Sequence, residues 1–257
     1  MKSAMLKNLK NSDLDKPIYR IISIERLMEM FECKELIFPQ VKVWNDVYEN
    51  FFMKSRLRDM NGEEFEIDDD LEEYYGQCWS FLNDSDALWR IYSPNKQSVR
   101  IKTTLRKITD VINSQNTSIP SSGVGIIEDT FLGKVRYMSR KKIQESIQSK
   151  GIVYTDIMPN IVDSLFLKRI EFKHEKEVRI IYYADRDVDS KLKPDSKLIA
   201  FNINPFQLIE EIAFDPRGED SYISAYKNYL VSKFNYPEKK IVKSSLYKFT
   251  PFVFDIK

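Results

Sequence analysis

Residues 172–183 read Phe-Lys-His-Glu-Lys-Glu-Val-Arg-Ile-Ile-Tyr-Tyr, and this stretch narrows the fold furthest. Strand side chains alternate with a period of two. The pattern therefore predicts a β-strand with Glu175, Glu177 and Arg179 on one face and Val178, Ile180 and Tyr182 on the other. The two carboxylates then stand about 7 Å apart on a rigid element. Such a pair can divide catalytic labour, one acid holding a substrate hydroxyl and the other activating a nucleophile, when the surroundings separate their acidities. The same pattern also describes a solvated strand face whose cross-strand ion pairs are each worth roughly a few tenths of a kcal/mol.

Composition prunes the alternatives. The chain has 257 residues, 42% of them hydrophobic, which suffices for a proper core in one large domain or two small ones. Lys+Arg 40 against Asp+Glu 39 leaves a net charge of +1. No global field draws such a chain to nucleic acid or to an anionic membrane, so strong nonspecific nucleic-acid binding is not expected and any such contact has to be a local patch. Cys33 and Cys78 have no CxxC spacing, which argues against a disulfide framework and a cysteine zinc site and fits a reducing cytoplasm. No secretory signal is expected from the polar amino terminus. No apolar run reaches the roughly 18 residues of a membrane span, so no membrane partner is expected either.

His174 is the one histidine. A Ser-His-Asp or Cys-His mechanism would have to use it, yet it lies among Lys173, Glu175 and Lys176 on what reads as a solvated face. Histidine-rich metal sites are excluded, and no metal is expected. Gly123-Val124-Gly125 is followed by Glu128 rather than a third glycine, and no GxxxxGK[ST] occurs, so nucleotide binding would need another scaffold.

Along the chain, residues 1–16 read as a flexible lead-in to a single α+β domain over 17–257, with surface insertions near 60–73 and 113–125. Strands are expected at 18–22, 36–38, 74–80, 99–103, 131–138, 197–203 and 209–214, with one or two closing strands in 242–254. Helices are expected after Ser23, after Asp84-Ser85-Asp86, and over 104–113, 159–168 and 221–234, with another opening at 139–143. Helices and strands mix irregularly, which favours a mainly antiparallel twisted sheet with flanking helices over a doubly wound parallel one.

Several short motifs carry a resemblance: Ile18-Tyr19-Arg20, Asn45-Asp46, Cys78-Trp79-Ser80, the 86–92 segment Asp-Ala-Leu-Trp-Arg-Ile-Tyr, Lys168, Glu175-Lys176-Glu177-Val178-Arg179-Ile180 and Ile212-Ala213-Phe214-Asp215-Pro216. Together they resemble the bacterial domain-of-unknown-function family numbered 2971, over residues 17 to about 235. An aromatic-Arg pair on an early strand, a Ser closing a middle strand and Glu-x-Glu on a later one also resemble the Arg-Ser-Glu signature of ADP-ribosyltransferases. That second resemblance implies a related fold and an enzyme consuming NAD, as a transferase or a glycohydrolase, in the setting of a bacterial toxin or phage-defence effector. It implies that Arg20 clamps the pyrophosphate, Ser80 fixes Glu177, Glu177 holds the ribose and Glu175 activates the acceptor. Trp89 and Tyr92 would flank the cofactor. The chemistry is coherent, since a planar guanidinium suits phosphate and a carboxylate beside the ribose stabilises an oxocarbenium-like transition state. Whether the acceptor is protein or nucleic acid stays open.

Two rivals stand beside this reading. Glu171-Phe172-Lys173 gives Glu-x-Lys near a strand edge, and Asp84 or Asp86 could add a carboxylate, as in a metal-dependent nuclease. A non-catalytic protein-binding or regulatory module is the other.

Overall fold

The alternating β-branched and aromatic runs build one large sheet in the computed structural model, which describes residues 4–44, 46, 48–67, 73–115, 130–152, 158–184 and 197–256. Its strands and their companions are, in chain order, β1 (Met5–Lys7), β2 (Pro17–Ser23), β3 (Glu35–Pro39), β4 (Arg56–Arg58), β5 (Glu64–Glu66), β6 (Tyr74–Ser80), β7 (Ser98–Thr104), β8 (Thr130–Lys134), β9 (Arg136–Met138), β10 (Leu167–Arg169), β11 (Glu177–Tyr183), β12 (Leu198–Asn202), β13 (Glu211–Phe214) and β14 (Ile241–Lys243). The helices are α1 (Ile24–Cys33), α2 (Asp86–Tyr92), α3 (Leu105–Gln115), α4 (Arg140–Gln148), α5 (Met158–Ser164), α6 (Pro205–Leu208) and α7 (Asp220–Phe234). Ser23, Ser85 and Ser139 start α1, α2 and α4 by accepting the backbone N–H three residues on.

The main sheet runs β1-β8-β11-β6-β2-β7-β13-β14. Its interior pairings are antiparallel, and the two edge pairings, β1 with β8 and β13 with β14, are parallel. The architecture is thus the α+β, mainly antiparallel one that the sequence pattern favours. Both faces are covered. Val178, Ile180 and Tyr182 of β11 enter the larger core with Ile18, Ile101 and Phe214, while Ile181 joins Tyr74, Phe131 and Phe166 in a second core on the opposite side.

One interruption opens the sheet. β2 pairs with β7 along its whole length, from Pro17 opposite Thr104 to Ser23 opposite Ser98, but meets β6 only at Tyr19 opposite Ser80. Away from that bridge β6 takes β3 as its neighbour instead, through Gln77 Nε2 donating to the Ile37 carbonyl at 2.6 Å and the Gln40–Tyr75 bridge. The sheet forks, and the space between β2 and β6 stays open.

Several expectations need correction. The strand expected over 172–183 begins only at Glu177. Residues Ile170–Glu175 form a 3-10 helix and Lys176 is left-handed at φ 43°. The cause lies in the partners: β6 ends at Ser80 opposite Glu177, and β8 ends at Lys134 opposite Val178, so no ladder exists for residues before 177. Nor is the face solvated, since Arg179 is 0% exposed. The expected lead-in is part of the fold, because Met5–Lys7 forms the edge strand beside β8 and Asp13 is buried between the Lys10 N–H, Lys16 and Lys134. The helix expected to 168 stops at Ser164, and Leu167–Arg169 instead pairs with β9. Of the closing strands expected in 242–254, only Ile241–Lys243 joins the sheet; Phe249, Phe252 and Phe254 are exposed. The insertion near 60–73 carries the β4–β5 hairpin, and its residues 68–72 lie outside the described ones, as do 116–125 of the other.

Gly76 of β6 is where backbone and aromatic meet. A Cβ there would lie 2.7 Å from Trp44 Cζ2 and 2.9 Å from Ile181 Cδ1. Gly76→Ala is expected to cost about 1–3 kcal/mol by overpacking, read as a thermal midpoint several degrees below wild type.

Candidate functional site

A cavity of about 190 Å³ occupies the fork between β2 and β6. Arg20, Ser80, Trp89, Tyr92, Glu175 and Glu177, all singled out from sequence, line it together. Each arrives by a short local device. Arg20 follows the single β2–β6 bridge, Ser80 closes β6, the Ser85-capped α2 carries Trp89 and Tyr92 across the opening, and the 3-10 turn delivers Glu175 just before β11 begins at Glu177.

The two glutamates rest on a buried ionic network. Lys168 Nζ reaches Glu175 Oε2 at 2.5 Å, Glu177 Oε2 at 3.1 Å and Glu49 Oε1 at 3.1 Å. Arg179 donates Nε to Glu177 Oε1 at 2.9 Å, one terminal nitrogen to Glu49 Oε1 at 2.6 Å and the other to the Leu165 carbonyl at 2.6 Å, with Trp44 stacked on its guanidinium 4.6 Å away. Burial alone would raise the Glu177 carboxyl, but Arg179 and Lys168 overcome it and hold it at about 2. Glu177 is therefore ionised at neutral pH. The Cys78 thiol, bonded to Glu177, is pushed well up by burial and by that carboxylate, which leaves it protonated rather than nucleophilic. The Tyr92 hydroxyl donates to Glu175 Oε1 at 3.2 Å.

Ser80 takes a different partner from the one the resemblance implies. Its Oγ donates to the Glu175 main-chain carbonyl at 2.6 Å and accepts from Leu82 N at 3.0 Å. With Phe81 N donating to the Lys176 carbonyl at 3.2 Å, it pins the turn that carries Glu175 rather than the Glu177 carboxylate. Trp89 is 1% exposed, with its indole N–H on Asp84 Oδ1 at 2.6 Å, so it walls the cavity as core. Tyr92 is 49% exposed and offers ring surface at the mouth.

Arg20 is the exception among these charges. It forms no ion pair with any carboxylate among the described residues, and burial pulls its guanidinium below the ordinary value while Cys78 and Tyr92 act in the other direction. A half-buried, cavity-lining guanidinium without a carboxylate partner is a site for an incoming anion.

The residues of the nuclease scheme are not assembled. Glu171 and Lys173 are exposed on the 3-10 turn, Asp84 is bound to Trp89 and Ser244, and Asp86 is paired with Arg90 at 2.8 Å. Among the described residues no group of three or more His, Cys, Asp or Glu is placed to hold a metal ion. Glu49 went unmarked in the sequence: it sits in an irregular segment, 130 positions from Arg179, and no local pattern signals it.

Residues 88–180 match the family described as "Protein of unknown function (DUF2971)", a span that contains Trp89, Tyr92, Lys168 and both glutamates. Among solved structures, the chain is similar to Thermus sp. 2.9 DarT in complex with ADP-ribosylated ssDNA, at 14% identity over 95% of this chain and 98% of that one with a TM-score of 0.40. It is similar too to the same protein in complex with NAD+, at 13% identity over 90% and 96% with a TM-score of 0.39. A search of the curated proteins finds no match.

Lys168→Met would leave Glu49 and Glu177 to Arg179 alone and Glu175 without a cation, and is expected to cost about 3–5 kcal/mol in urea unfolding. The Glu177 carboxyl is depressed from 4.5 to about 2, so its contribution to stability is complete above pH 4.5 and lost as pH falls through 2. Stability measured against pH should therefore decline along that acid limb, and Glu177→Gln should flatten it.

Proposed function

We propose that this chain is an NAD-consuming enzyme of ADP-ribosyltransferase type, and the observation that carries the reading is the charge asymmetry of the cavity. Glu175 and Glu177 line it from a network with Glu49, Lys168 and Arg179 that carries an excess of one negative charge. Arg20 is the unpaired cation lining the same cavity. A ligand complementary to both joins a cationic ring to an anionic phosphate, and the nicotinamide and pyrophosphate of NAD have that distribution. The cavity is below the roughly 300–1,000 Å³ of clefts that enclose drug-sized ligands, so it suits the nicotinamide-ribose end with the adenosine end outside.

In this reading Glu177, fixed and ionised, accepts a hydrogen bond from a ribose hydroxyl and stabilises positive charge developing at the anomeric carbon. Its low pKa unsuits it to proton transfer. That task falls to Glu175, whose main chain Ser80 positions and whose carboxylate touches Lys168 and Tyr92. The bond between ribose C1′ and the nicotinamide nitrogen breaks with its electron pair going to nitrogen, and neutral nicotinamide leaves. The acceptor's lone pair bonds to C1′, and its proton passes to Glu175 and then to solvent. Arg20 holds the pyrophosphate, and the exposed ring of Tyr92 covers the nicotinamide. With water as acceptor the same steps are NAD hydrolysis.

NAD is expected to raise the melting temperature in the presence of EDTA. Glu177→Gln should lower NAD cleavage or label transfer about 10²–10³-fold with an unchanged circular dichroism spectrum. Arg20→Lys should raise the KM for NAD about tenfold by losing the bidentate fork. An NAD-insensitive melting curve together with undiminished turnover by the Glu177 variant would sink the assignment.

A further inference from the structure

Residues 249–256 read Phe-Thr-Pro-Phe-Val-Phe-Asp-Ile, and their apolar side chains stand in solvent. Phe249, Phe252 and Phe254 are 75%, 77% and 82% exposed, Val253 92% and Ile256 99%. The three rings touch one another, with centroids 6.4 Å and 6.1 Å apart. Single exposed apolar residues are ordinary, but five within eight positions mark a contact surface. Aromatic and β-branched residues with Phe252, Phe254 and Ile256 on one parity make the composition that of a strand. Yet the segment joins none of the sheets formed by the described residues. Its base is fixed to the cavity wall. Ser244 Oγ donates to Asp84 Oδ2 at 2.6 Å, and the Tyr247 hydroxyl donates to Asp86 and accepts from Arg90 at 3.4 Å. Asp86 and Arg90 belong to α2, on which Ile91 and Tyr92 are half exposed.

We infer that this segment joins two copies of the chain, residues 252–256 of each forming an antiparallel ladder about a twofold axis at Phe254. The inference is independent of the NAD reading. Identical segments paired antiparallel satisfy twofold symmetry, so the strand missing from one chain is supplied by the same strand of another. The sequence selects the register. Pro251 has no N–H to give, so the ladder starts at Phe252. Centred on Phe254, it sets Phe254 opposite itself, Phe252 opposite Ile256 and Val253 opposite Asp255, with six large apolar side chains on one face. Centring on Asp255 would oppose two carboxylates, and centring on Val253 would draw Pro251 into the ladder. A two-stranded ribbon alone is marginal and needs a floor. Ile91 and Tyr92 provide one, because Tyr247 ties the segment to their helix. At about 150–250 Å² per buried phenylalanine, six rings from two copies bring roughly 900–1,500 Å², and Ile256 and Ile91 add to it. A specific interface needs about 1,200 Å² or more. A partner of another kind would be chosen by charge, and Asp255 is the one charge between 249 and 256.

The test is analytical ultracentrifugation of the full chain across about a hundredfold dilution, where wild type should show a concentration-dependent dimer. The double variant Phe252→Asp/Phe254→Asp should weaken association about a hundredfold or more. Its circular dichroism spectrum should be unchanged, since both side chains are exposed in the single chain. Cysteine cross-linking then reads the register. Phe254→Cys, in a Cys33→Ser background, should form a disulfide-linked dimer in air, because directly opposed residues have Cα atoms about 4.5–5.5 Å apart. Val253→Cys in the same background should not, since it lies about 7–8 Å from its own copy. A wild type that stays monomeric at every concentration, a double variant that associates as tightly as wild type, or equal cross-linking through positions 253 and 254 would overturn the pairing.

Discussion

Arg179 sits at the centre of this molecule's design. A fully enclosed guanidinium is tolerable only when its donors are taken up, and here Glu177, Glu49 and the Leu165 carbonyl accept from it while Trp44 covers its face. Those partners come from three segments of the chain. The charge therefore ties Trp44 and Glu49, the end of α5 and the start of β11 to one point. Removing any one acceptor would leave a buried charge short of a partner, so the geometry around Glu177 is far stiffer than that of an exposed strand residue.

The fork in the sheet and this network depend on one another. Because β6 turns away from β2 after a single bridge, main-chain groups and side chains near Arg20, Cys78 and Trp79 border open space instead of a ladder. The network supplies the rigidity that lost pairing would otherwise provide. Its excess negative charge also acts into that space at short range and low dielectric, where electrostatic preorganisation is strongest.

Much of this was legible in the sequence, and the failures have a common cause. The strands at Pro17–Ser23, Tyr74–Ser80 and Ser98–Thr104 and the serine-capped helices follow from alternation and capping, which are local. The clustering of Arg20, Ser80, Glu175 and Glu177 came from motif order. What local pattern could not supply was the extent of partner strands. Glu175 keeps the parity of Glu177 and Arg179, but β6 and β8 end first, so the apparent strand residue lies in a 3-10 turn. Ser80 changed partner for the same reason, since the turn places the Glu175 carbonyl above its hydroxyl. Glu49 belongs to no pattern, and only the folded chain brings it to Lys168 and Arg179.

That displaced start of β11 has a chemical consequence. Had both glutamates stood on one strand face, they would have shared one environment and one set of cations. In the turn-strand arrangement Glu177 takes both Arg179 and Lys168, whereas Glu175 contacts Lys168 and the Tyr92 hydroxyl and is carried by a segment pinned through its main chain. Two carboxylates separated by one residue thus acquire different partners, which is the condition for giving them different roles. The left-handed Lys176 between them is the pivot. It turns the backbone between the 3-10 turn and β11, so that the two carboxylates reach the one cavity from different elements.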